Sequence, residues 1–160
     1  MLSPDLIKWI KNVNNNWTHK AYFDVPDEFQ LHFPNHHKQN VLTTPCGEII
    51  LLFQKVDSST DIKFTHLVTP VNDILKDHYK PQYRYSRRVK VIAQRLEKPY
   101  ISKTDTSFRN INLGGVSQGN VNQIGNMKHV QEKNLLSVIQ KELYDLFLPY
   151  VKNNKIFTAG

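Results

Sequence analysis

A single cysteine in 160 residues leaves Cys46 without a partner for an internal disulfide, and with no second cysteine nearby a thiolate zinc site is excluded. No run of about 18 apolar residues occurs, and the start lacks the basic, apolar and small-residue order of a secretory signal. Neither spanning nor secretion is indicated, and a cytoplasmic protein with no membrane partner is the expectation. Internal repeats and low-complexity tracts are missing as well. With 39% hydrophobic residues the chain is long enough for one compact domain with a core, and too short for two full ones.

Acidic residues are scarce in one place. Between Lys76 and Arg109, ten Lys and Arg face only Asp77, Glu97 and Asp105, so the whole formal charge of +7 sits there. The other 126 residues are neutral, with 11 basic and 11 acidic side chains. Tyr79, Tyr83, Tyr85, Tyr100 and Phe108 are interleaved with these charges, so cations suited to phosphates alternate with rings suited to bases. A surface facing nucleic acid is one reading. The solvated face of a strand, binding nothing in particular, is the other.

Hydrophobic spacing supplies the elements. Ser3 and Pro4 make a cap and first turn, and Leu6, Ile7, Ile10 and Val13 recur at helical spacing, which predicts a short N-terminal helix ending at Asn14. Leu135, Leu136, Ile139, Leu143, Leu146 and Phe147 predict a second helix, stopped by Pro149. The tail from Lys152 to Gly160 is expected to fray. Between the helices, the apolar run of Glu48 to Val56 predicts a buried central strand, and Lys63 to Val71 predicts its antiparallel neighbour across a polar link, 57–61. A third strand, Tyr83 to Arg95, puts Tyr85, Arg87 and Val89 on one side and Arg84, Arg88 and Lys90 on the other. Gln30 to Phe33 reads as an edge strand, and Asp73 to His78 as one helical turn. The fold class expected is α+β: a bent mixed sheet or small barrel flanked by N- and C-terminal helices.

Chemistry is thinly represented. The stretch from Leu113 to Asn120, rich in glycine, lacks the Lys-Ser/Thr ending of a phosphate-binding loop and the spacing of a dinucleotide fingerprint. It reads as a turn, although Gln118 and Asn120 would suit polar base edges. His32, His36 and His37 lack the spacing and company of metal ligands, so no metal is assigned. Glu48, Gln54 and Lys55 do not supply the acid and acid-x-Lys of metal-dependent nucleases. A metal-free ribonuclease built from His66, Arg87 and Tyr85 stays open as an alternative.

The Gly47-Glu48 turn, the strand ending Leu52-Phe53-Gln54, the strand Thr65-His66-Leu67-Val68 and the basic strand Tyr85 to Val91 together resemble the PUA-like superfamily, in its EVE and YTH-type branch. The resemblance spans residues 40 to 95. Glu48 stands where that branch has Asp, and Gln54 and Lys55 depart from its usual polar ending. It implies a small bent barrel over residues 1–151 that holds a modified or flipped-out base in an aromatic pocket.

On that basis the candidate base-binding residues are Trp17, Tyr22, Phe53, Gln54, Tyr85, Gln118 and Asn120, with Trp9 filling core. Arg84, Arg87, Arg88, Lys90, Arg95 and Arg109 are the candidate phosphate ligands. The function expected is binding of DNA or RNA, without a cofactor or catalysis. A second alternative is a specificity or docking module of a larger nucleic-acid enzyme, for which the apolar face of residues 135 to 147 would stay exposed.

Overall fold

The computed structural model describes residues 2–13, 22–56, 61–78, 84–116 and 119–152. Its architecture is α+β, with a seven-stranded sheet and a few short helices. The strands are β1 (Ile7–Asn12), β2 (Glu28–Phe33), β3 (Ile49–Lys55), β4 (Ile62–Asp77), β5 (Tyr85–Gln94), β6 (Ile101–Ser102) and β7 (Val121–Gln123). Along the sheet the order is β2-β5-β4-β3-β1-β7, with β6 pairing the start of β4 beside β5. Among the described residues β1 and β3 run parallel and the other strand pairings are antiparallel.

The expected central strand is β3, whose residues Ile49 to Phe53 are all buried because both faces of the sheet are covered. Its alternate residues feed two separate cores. Ile49, Leu51 and Phe53 join Phe64, Leu67 and Phe108 on an outer face, while Ile50 and Leu52 join Leu31, Phe33, Val68 and Val89 on an inner one. The outer face is closed by α1 (Lys128–Glu132) and α2 (Leu136–Phe147), the latter burying Ile139, Leu143 and Phe147. Pro149 follows its end, as expected. Gln140 on α2 donates to the Ile7 carbonyl at 3.2 Å, tying the helix to β1.

The inner core draws on β1, β2, β3, β4, β5 and β7, so the sheet curls until its first and last strands look at one another. Those two edges do not pair in the described residues. Asn40, just beyond β2, bridges them instead: its Nδ2 donates to the Val121 carbonyl at 2.9 Å and its Oδ1 accepts from the Val121 N–H at 2.7 Å.

Three expectations are corrected. The N-terminal helix is a strand, β1, entered through one 3-10 turn, Pro4–Leu6. Its register passes from Ile7 opposite Ile49 to Trp9 opposite Ile50, so Lys8 is an extra residue. That bulge brings Ile7 and Ile10, three apart, onto one face and counterfeits helical spacing. The helical turn expected at Asp73 to His78 is instead the end of β4, where Leu75, Lys76 and Asp77 pair with Arg87, Ser86 and Tyr85. Finally, Lys152 does not fray: its N–H bonds to the Ile92 carbonyl at 2.8 Å and its ammonium to Asp27 at 2.7 Å. Residues 153–160 lie outside the described residues.

Candidate nucleic-acid interface

Strand alternation on β5 turns Arg88 and Lys90 outward, away from the inner core, beyond the area that α2 covers. This face is less positive than its composition suggests. Arg88 Nε donates to Glu28 at 2.7 Å, and Glu28 lies opposite Lys90 in the β2–β5 register. Arg84 holds Asp77 through two bonds of 2.5 and 2.9 Å, which keeps that carboxyl below its ordinary range. Arg95 and Arg109 stand apart. Arg95 donates to the Pro99 and Lys98 carbonyls, at 3.1 and 2.9 Å, and covers the Tyr150 ring; Arg109 is exposed on the 3-10 turn Ser107–Asn110.

Arg87 does not belong to the phosphate-facing set. It points inward, is 1% exposed, and its guanidinium donates to the Asn72 carbonyl at 2.8 Å, to the Thr44 carbonyl and to Asp73 at 2.8 Å. It clamps the excursion of Val71 to Ile74, four residues of β4 that stand between the Pro70–Val89 and Leu75–Arg87 pairs.

The expected base-binding residues are dispersed. Trp17 and Gln118 lie outside the described residues. Phe53 is buried in the outer core, on the face opposite the inner residues, so it lines no pocket with Tyr85. Tyr22 accepts the His32 N–H at 3.1 Å and stands 5.8 Å from the Phe29 ring, at the margin of the inner core. Tyr85 lies between two cations, with Lys38 5.4 Å and Arg84 5.6 Å from its ring centroid.

Gln54 and Asn120 are in more telling surroundings. Gln54 is buried and donates to Thr65 Oγ1 at 2.8 Å, and that hydroxyl is 2.7 Å from His66 Nδ1. Gln54 Oε1, His66 Nε2, Gln94 Oε1 and Asn120 Oδ1 are buried without a hydrogen-bond partner of good geometry. His66 and Gln94 face each other across β4 and β5. Burial holds His66 down to about 4, the Phe23 backbone opposing and Lys152 reinforcing the shift, so the ring is neutral. Arg87 and Tyr85 sit at the other end of the β4–β5 pairing, so the three residues do not converge on one site.

Sequence reasoning missed Lys11. It is 1% exposed on the inner side of β1, donates to the Gly119 carbonyl, and stands over the Phe33 ring. No carboxylate pairs with it among the described residues, and burial lowers it from 10.5 to about 7. Gly119 has φ +85°, a backbone state that glycine adopts without strain, and Asn120 with its unpartnered oxygen follows directly. The only hint in the sequence is a lysine among Ile7, Trp9, Ile10 and Val13.

The described residues contain no helix long and apolar enough to cross a membrane. The apolar face of α2, which a docking module would expose, is covered by the sheet. No protein-family model matches the chain, and no curated protein matches it. A solved structure described as a hypothetical protein from Leishmania major is similar in fold, with a TM-score of 0.50 at 10% identity, over 84% of this chain and 97% of that one.

Proposed function

We propose that the curled sheet is a PUA-like barrel and that the chain is a cytoplasmic nucleic-acid-binding domain, reading a modified or extruded base at the inner site around Lys11. The observation that carries this reading is a buried ammonium with no carboxylate partner among the described residues, held by the Gly119 carbonyl, with the unpartnered oxygen of Asn120 on the next residue. Such an arrangement costs stability, so it needs a reason to persist, and polar groups left unpaired in a protein interior are the usual mark of a ligand site. A base offers both an acceptor for the ammonium and a donor for the carboxamide oxygen. The outward cations Arg84, Arg88 and Lys90, with Arg95 and Arg109, supply the backbone attraction.

Fluorescence anisotropy with single-stranded and duplex DNA and RNA, with and without methylated cytosine or adenine, at two salt concentrations, tests the reading. Salt-sensitive binding that depends on the modification, and that Lys11→Met and Asn120→Ala each weaken at least tenfold, is the expected result. Absence of binding to every oligonucleotide overturns it.

A further inference from the structure

A cavity of about 530 Å³ opens where β7 and β1 meet the chain leading into α1. Its size is ordinary for a small-ligand site. Trp9 forms one wall, and Asn112, Asn122, Gln123, Asn126, Lys128 and His129 contribute the polar remainder. Three properties of this wall restrict the occupant. The Trp9 indole is fixed, because its Nε1–H donates to Glu48 at 2.8 Å. The carboxamides each offer a donor beside an acceptor, matching the edge of a heterocycle and wasted on an apolar guest. Among the described residues no carboxylate lines the cavity, while Lys128 stands exposed at its rim, which favours a phosphorylated occupant over a neutral one.

Position relates this cavity to the inner site. Trp9 and Lys11 are two residues apart on the inner side of β1, about 6.6 Å by strand rise. Their partners on β7 are Gln123 and Val121. We infer that the cavity holds a second nucleobase, the neighbour of the one read beside Lys11, and hence that the ligand is single-stranded there. This inference rests on the proposed function above.

The test uses a labelled single-stranded pentanucleotide with the preferred base at its centre, and two versions carrying an abasic sugar on the 5′ or the 3′ side. For the unaltered chain, one abasic version binds about tenfold more weakly than the full oligonucleotide. The Asn126→Ala, Lys128→Ala double variant binds the full oligonucleotide about tenfold more weakly and is indifferent to the abasic change. Both positions are exposed, so an unchanged melting temperature is expected and checks the fold. Equal binding of all three oligonucleotides by the unaltered chain, or a double variant as strong as the unaltered chain, overturns the second site and leaves the reader intact. If the unaltered chain binds none of them, both fall together.

Discussion

The Lys11 ammonium stands 4.4 Å from the centroid of the Phe33 ring, although β1 and β2 are separated by three strands in the sheet order. A single contact therefore records how far the sheet has curled. It also places a cation in a wall of apolar side chains, with consequences for stability that depend on pH.

The native state holds its Lys11 proton less tightly than the unfolded chain does, about 7 against 10.5. The unfolded chain therefore carries the extra proton between these values, and stability rises with pH across that window by up to about 1.4 kcal/mol per unit. Below about pH 7 the cost of the buried charge is fully present. Lys11→Met is expected to be more stable than the unaltered chain near pH 6, with the gain fading towards pH 10.5. Urea titrations at pH 6, 8 and 10 measure it, and parallel curves for the two chains at every pH would contradict the assignment.

His66 gives a separate window at lower pH. Its ring is held neutral down to about 4, so stability is complete above 6.5 and is lost as pH falls towards 4. His66→Gln is expected to remove that portion of the acid sensitivity, at some cost from the lost Thr65 contact. Thermal melts at pH 7 and pH 4.5 read the difference; an acid shift as large in the variant as in the parent would refute it.

Arg87 predicts a large structural effect. Four groups, on the loop of Thr44 and Cys46 and on the Val71 to Ile74 excursion, accept from its guanidinium, and truncation leaves them without that donor. Arg87→Ala is expected to cost about 3 kcal/mol or more. Arg87→Lys is expected to recover less than half, since a single ammonium cannot span the fork. Denaturant midpoints decide; a loss under about 1 kcal/mol for Arg87→Ala would show that the clamp contributes little.

Much of this fold was legible in the sequence. The strands β3, β4 and β5 and the helix α2 follow from apolar runs, alternation and three-four spacing, all local signals. Misreadings occur where register breaks: the extra Lys8 made Ile7 and Ile10 look helical, and the four-residue excursion in β4 hid its continuation. Charge alone could not separate Arg87 from Arg88, because the distinction is one of face, and neighbours on a strand differ in face. The inner site was illegible for a deeper reason. Lys11 is enclosed only because Phe33 and Gly119, far from it in the chain, close around it, and no window of sequence contains all three.

The Asn40 bridge also bears on how the protein behaves in a crowd of its own copies. A sheet edge whose N–H and C=O groups are free invites the strand of another molecule, and growth by such addition leads to insoluble fibres. On β7 the rung at Val121 is already taken on both sides of its peptide pattern by one carboxamide, which imitates a backbone unit without continuing as a strand. Two bonds from one side chain thereby occupy the Val121 rung against the strand of another copy.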